Sequence, residues 1–229
     1  MTAAKKPVSR LRATVAEALE GGASLVQFRD KGAYASEERV EVARELREIC
    51  ARRRVPFLVN DDPQLAHRVR ADGVHVGRED PPPRIARSLL GPQAIVGVTV
   101  YGEAAEEEAA AAAGADYLAV GPFFPSPTKP EEPVIPLRIL DGVVDRSPLP
   151  VFAIGGVTAE NAGLLALHGV AGVAVVSAIM DAPNPRAATE AIRRAFDEGK
   201  AASNAARTHA RETRARESSM ENTHRQTVK

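Results

Sequence analysis

Short runs of apolar residues recur along this chain, beginning near residues 25, 56, 73, 95, 117, 151 and 172, and each gives out into polar or glycine-rich sequence. Within the runs, apolar residues follow one another without alternation, the pattern of strands covered on both faces of a sheet. The stretches between them repeat apolar residues every three or four positions, the period of a helix. Ser9 to Glu20 does so through Leu11, Val15, Ala18 and Leu19, with Ser9 placed as the N-cap. Ser36 opens a longer helix, with Glu37 and Glu38 in its first turn and Val40, Ala43, Leu46, Ile49 and Cys50 on its inner face. Further helices are predicted over 63–70, 85–90, 104–113, 136–144, 158–168 and 186–196.

Strand and helix thus alternate without a break, which predicts right-handed βαβ units and one parallel sheet. The expected fold class is α/β, a (β/α)8 TIM-type barrel. Such a barrel takes eight strands, whereas seven are legible and the chain opens with a helix. The unit missing or truncated is therefore the first strand: either the barrel has a gap there or part of residues 1–8 fills it. Residues 1–8 predict a loose N-terminal arm, residues 9–198 the barrel domain, and residues 199–229 a basic, disordered tail without an apolar face.

The 229 residues suffice for one well-buried core. Formal charge is zero, so no overall field points to nucleic acid or a membrane. That balance hides an asymmetry: residues 199–229 carry seven basic side chains against three acidic ones, net +4, and residues 1–198 carry −4. A solvated tail accounts for this charge better than a nucleic-acid contact does. Cys50 is the only cysteine; it excludes an internal disulfide, suits a reducing cytoplasm and reads as a small core residue. No apolar run approaches the ~20 residues that cross a bilayer. Lys5 and Lys6 are not followed by the apolar segment of a signal peptide.

The chemistry collects where the strands end. In the first, Val26-Gln-Phe-Arg-Asp-Lys31, strand alternation would turn Gln27, Arg29 and Lys31 to one side, a set suited to an anion with several oxygens. Asn60-Asp61 and Asp80 end the next two strands, and two carboxylates plus substrate oxygens are how proteins hold Mg²⁺ on a diphosphate. Asp62 reads instead as the cap of the helix opening at Pro63, while a turn residue before Pro81 is the rival reading of Asp80. Thr99 ends the Gly97-Val-Thr strand and can donate to a phosphate. Ser126, Thr128 and Lys129 place three donors in a proline-stiffened loop. Gly155-Gly156 and Val176-Ser177 end the last two strands, where barrels frequently hold a phosphate on backbone N–H groups. His75, between Gly73 and Gly77, reads as a hydrogen-bonded interior residue ahead of a general base.

The ordered set Gln27-x-Arg29-x-Lys31, Asn60-Asp61, His75-Val-Gly-x-x-Asp80, Gly97-Val-Thr99, Ser126-Pro-Thr128-Lys129, Ala153-Ile-Gly-Gly156 and Val175-Val-Ser177 resembles the thiamine-phosphate synthase family over about residues 9–198. The resemblance implies an Mg²⁺-dependent transferase that joins hydroxymethylpyrimidine diphosphate to a thiazole phosphate, releasing pyrophosphate. It implies that Gln27, Arg29, Lys31, Asn60, Thr99 and Lys129 hold the pyrimidine diphosphate, with Arg29, Lys31 and Lys129 stabilising the leaving group. Asp61 and Asp80 would hold Mg²⁺, and Ser126, Thr128, Gly155, Gly156, Val176 and Ser177 the thiazole phosphate. Its partners are then two phosphorylated small molecules, with self-association into a homo-oligomer left open. The family usually has Glu at Asp30, Gln at Arg78, Ser at Thr99 and Thr at Ser126. The sister branch of thiazole tautomerases shares the barrel but typically lacks the full Mg²⁺ and diphosphate set, which this chain retains. A phosphate-binding barrel acting on one substrate, and a truncated, inactive barrel serving as a binding module, are the alternative readings.

Overall fold

Each of the seven apolar runs forms a strand in the computed structural model, which describes residues 1–2, 6–128 and 130–227, with the backbone alone for 207–227. They are β1 (Val26–Phe28), β2 (Phe57–Asn60), β3 (Gly73–Val76), β4 (Ile95–Val100), β5 (Tyr117–Val120), β6 (Val151–Ile154) and β7 (Gly172–Ala174). The helices are α1 (Val8–Glu20), α2 (Ser36–Arg52), α3 (Pro63–Val69), α4 (Pro83–Leu90), α5 (Ala104–Ala112), α6 (Leu137–Arg146), α7 (Ala159–Leu167), α8 (Ser177–Met180) and α9 (Pro185–Thr227). All strand pairs are parallel and the sheet order follows the chain, β1 to β7. Helix contacts on one face and side-chain packing on the other explain the unbroken apolar runs: Phe57, Leu58 and Val59 of β2 are all fully buried.

Register arranges the inward side chains in rows. Asn60 pairs with His75, His75 with Gly97, and Gly97 with Tyr117, so one row crosses four strands. Gly97 is needed there because a Cβ would run into the Tyr117 ring. The row above sets Thr99 beside Ala119 and Ala119 beside Phe152.

The sheet curls until its two edges are bridged by the start of the chain. Thr2 N–H donates to Gln27 O at 2.8 Å. Its hydroxyl accepts from Arg29 N–H at 2.8 Å and donates to Arg29 O at 3.1 Å. The Met1 ammonium donates to Val175 O, just beyond β7, at 3.0 Å. The described residues of the arm are therefore tied down rather than loose, residues 3–5 lying outside the described residues. Lys6 Nζ donates to Met180 O at 2.6 Å and pairs with Asp181, while the Tyr34 hydroxyl donates to Lys6 O at 2.8 Å. A pattern of apolar spacing carries no trace of such ties, because they satisfy backbone groups of the sheet edge rather than bury apolar surface.

Three further expectations need correction. Helix α1 starts at Val8, with Pro7 at its N-cap and no side-chain cap from Ser9. The closing helix does not stop at Phe196 but continues to Thr227, so residues 199–227 of the segment read as a disordered tail are helical, and 228–229 lie outside the described residues. Residues 186–227 contain no proline and one glycine among many Ala, Arg and Glu, all good helix formers. Nor does the domain end at Glu198: Gly199 lies on the backbone of Gly163 in α7, and the buried Ser203 donates to Leu167 O at 3.2 Å.

Candidate active site

Side chains from the C-terminal ends of all seven strands border one cavity of about 1010 Å³. Gln27 and Arg29 reach it from β1 and are 8% and 7% exposed, so the guanidinium works in a partly dehydrated setting. Burial lowers the Arg29 pKa from its ordinary value, and the charges of Asp61 and Glu132 oppose that shift. Lys31 also borders the cavity but not by strand alternation: β1 ends at Phe28, and Lys31 sits in a turn at φ 49°.

Asn60, Asp61 and Asp80 border the same space. Asp61 N–H donates to His75 O at 2.7 Å, which fixes the turn after β2 against β3, and the residue takes φ 65°. Asp80 Oδ2 accepts from Gly77 N–H at 2.7 Å, which folds the loop after β3 back on itself. The two carboxyl groups converge. Enclosure of the Asp61 carboxyl first, then the hydrogen bond and charge of Asp80, push its pKa up to about 6, against the lowering pull of Arg29 and Lys31. Asp62, as its position before Pro63 predicts, caps α3 by accepting from Leu65 N–H at 2.9 Å.

His75 is 6% exposed and satisfied on both ring nitrogens, Nδ1 with Tyr117 Oη at 2.9 Å and Nε2 with Thr99 Oγ1 at 2.8 Å. Burial pushes its pKa down to about 4, so the ring is neutral at physiological pH. Thr99 therefore meets the cavity with its hydroxyl already oriented.

Ser126, Thr128, Gly155, Gly156, Val176 and Ser177, from the loops after β5, β6 and β7, border the same cavity. Thr128 N–H donates to Ser126 Oγ at 3.3 Å. Gly155 and Gly156 take φ 96° and 61°, and a Cβ on either would strike the loop after β5, at Pro122 and Pro125 respectively. Ser177 begins the four-residue helix α8, too short to be visible in the sequence pattern. Lys129 lies outside the described residues. Among the described residues no group of three or more His, Cys, Asp or Glu is placed to hold a metal ion. Sequence reasoning missed Tyr117, which joins His75 and Phe152 in the cavity wall, and left Glu132, which faces Arg29 electrostatically, undistinguished from Glu131. The glycine opposite Tyr117 was the available signal for the first; the run Glu131-Glu132 gave none that separated its two members.

A family model described as thiamine monophosphate synthase matches residues 2–179. A thiamine-phosphate synthase of Thiobacillus denitrificans is 45% identical over 187 residues, which cover 82% of this chain and 88% of the relative. One from Thioalkalivibrio sulfidiphilus is 42% identical over 190 residues, 83% of this chain and 90% of the relative. Among solved structures, a thiamine phosphate pyrophosphorylase of Pyrococcus furiosus superposes with a TM-score of 0.77 at 36% identity, covering 86% of this chain and 95% of that one. No helix among the described residues is long and apolar enough to cross a membrane. A cavity ringed by cationic, hydroxyl and paired acidic groups, on a fold shared with the solved pyrophosphorylase, joins the family match in one assignment: the chain belongs to the thiamine monophosphate synthase family, and its activity is that of a thiamine-phosphate synthase, a transferase.

Proposed function

We propose that the cavity divides into two half-sites, one for the pyrimidine diphosphate and one for the thiazole phosphate, and that the condensation occurs between them. The observation that carries this reading is the convergence of Asp61 and Asp80 beside Arg29 after β1, β2 and β3, while the loops after β5, β6 and β7 bring Ser126, Thr128, two left-handed glycines and Ser177 to the same cavity. The curled seven-stranded sheet is read as a (β/α)8 barrel with one strand position, between β1 and β7, spanned at its upper end by Met1 and Thr2.

Mg²⁺ fits the donor set. Two carboxylates forced together, one of them carrying a raised pKa, are relieved by a divalent cation, and a pair of protein carboxylates leaves coordination positions for phosphate oxygens. Asp61 and Asp80 would hold it, and when bound it would neutralise charge developing on pyrophosphate. Arg29, fixed through its own backbone by Thr2, supplies a planar fork of donors to the same oxygens. Lys31 and, by the sequence reading, Lys129 add cationic charge. Gln27, Asn60 and the Thr99 hydroxyl orient the pyrimidine diphosphate, with His75 holding Thr99 in place. Ser126, Thr128 and the backbone at Gly155, Gly156, Val176 and Ser177 receive the thiazole phosphate. The thiazole nitrogen then attacks the pyrimidine methylene as pyrophosphate leaves, at short range and without a protein general base.

The test is an assay of the purified chain with both substrates, with Mg²⁺ and after chelation. Thiamine phosphate and pyrophosphate should form in equal amounts only when both substrates and a divalent cation are present. Turnover of one phosphorylated substrate alone would overturn the reading.

A further inference from the structure

Arg39 lies in the first turns of α2; it is absent from the lining of the cavity described above but borders an adjoining one with Arg29, Lys31, Asn60 and Asp61. Its guanidinium reaches two loops at once. Nε donates to Asp30 Oδ1 at 3.1 Å, and Nη1 donates to Asp62 Oδ2 at 2.7 Å. Asp30 stands between Arg29 and Lys31, and Asp62 follows Asp61 directly. The ladder joining β1 to β2 ends at the Phe28–Val59 pair, so both loops lie beyond it.

Each loop contains a residue in the left-handed region, Lys31 at φ 49° and Asp61 at φ 65°. Non-glycine residues hold such conformations when their surroundings over-determine them. The Asp30 side chain is 5% exposed, and its Oδ2 has no hydrogen-bond partner among the described residues. An enclosed carboxylate satisfied on one oxygen is a poor way to stabilise a fold. As a rigid strut it is more useful, because a planar fork fixes direction as well as distance.

We propose that Arg39 is a positioning residue: by bridging Asp30 and Asp62 it sets the loop carrying Arg29 and Lys31 in fixed geometry against the loop carrying Asn60 and Asp61. This rests on the assignment of those four residues to the pyrimidine diphosphate. The consequence is confined to one half-site, since the described residues of the loops that receive the thiazole phosphate, after β5, β6 and β7, make no bond to Arg39. Lysine at this position keeps a positive charge but gathers its donors on one rotating nitrogen, without the rigid fork whose Nε and Nη1 reach Asp30 and Asp62 separately.

The experiment uses the full chain with Arg39→Lys and with the double variant Arg39→Gln/Asp30→Asn, which removes the carboxylate that Arg39→Gln alone would leave uncompensated. Arg29→Gln is measured in parallel. Steady-state constants are taken for each substrate, and calorimetry follows binding of inorganic pyrophosphate with Mg²⁺ and, separately, of thiazole phosphate. In both Arg39 variants kcat/KM for the pyrimidine diphosphate should fall at least about tenfold, as a displacement near 1 Å can cost ~10²-fold. Pyrophosphate binding should weaken with it, and thiazole phosphate binding should be unchanged. Unaltered constants in both variants, or equal losses at both half-sites, would overturn the strut. If Arg29→Gln also leaves the diphosphate constants unaltered, the site assignment fails instead; if Arg29→Gln is impaired and the Arg39 variants are not, the strut alone fails.

Discussion

The Nε2 atom of His75 stands 2.8 Å from the Thr99 hydroxyl, so the histidine supports a group that borders the cavity. Burial holds its pKa at about 4, below the 6.5 of the unfolded chain. Folding thus favours the neutral ring. The stability this contributes is complete above about pH 6.5 and drains away as pH falls toward 4. Thermal melts of the native chain should decline between pH 7.5 and 5, and those of His75→Gln should decline less. Parallel declines would mean that the ring protonates in the folded chain at its ordinary value.

Gly156 sits at φ 61° with no room for a Cβ beside Pro125 O. Gly156→Ala should lower unfolding free energy by about 1–3 kcal/mol, from left-handed strain and overpacking together. The same change should weaken thiazole phosphate binding, because the loops after β5 and β6 must separate. Urea titration and calorimetry measure the two effects, and a variant with normal stability would show that the loops do not pack as described.

Helix α9 runs 43 residues, about 65 Å at 1.5 Å per residue. Its packed part reaches Ser203. Removing 207–229 should leave the melting temperature unchanged, since that sequence is nearly free of apolar residues. Removing 199–229 should lower it by several degrees, because the Gly199–Gly163 contact and the Ser203–Leu167 bond go with it. Equal melting temperatures for the two truncations would place the boundary at Glu198 after all.

Cys50 is buried, and dehydration followed by the charge of Asp72 pushes its thiol up to about 12. Thiolate is the reactive form. The native chain at pH 8 should therefore resist iodoacetamide over hours, and the chain in denaturant should be alkylated at once. Rapid labelling without denaturant would show that α2 opens readily at this position.

The strands were legible because burial on both faces imposes a continuous apolar run: Phe57-Leu-Val59 and Gly73-Val76 form strands where that rule places them. The gap beside β1 was legible too, as a count of seven. Its partial filling by residues 1–8 was legible only as one of two alternatives, since Thr2 acts through hydrogen bonds to Gln27 and Arg29 that no spacing encodes. At the site, Gln27, Arg29, Asp61 and Asp80 were recognisable because polar residues at a strand end must face solvent or a ligand. Lys31 reached the cavity by a turn rather than by alternation. Arg39 was invisible: it reads as one more charge on a helix, and its role arises only where α2 meets two loops in space.

The division into two half-sites is tested most directly by Asp61→Asn, assayed for turnover and titrated separately with thiazole phosphate. Turnover should fall by roughly 10²–10³-fold, the scale set by removing one preorganised electrostatic group. Affinity for thiazole phosphate should stay at the native value, because Gly156, Ser177 and their loops are untouched. Loss of turnover and thiazole phosphate affinity in equal measure, or turnover that survives the change, would contradict the division.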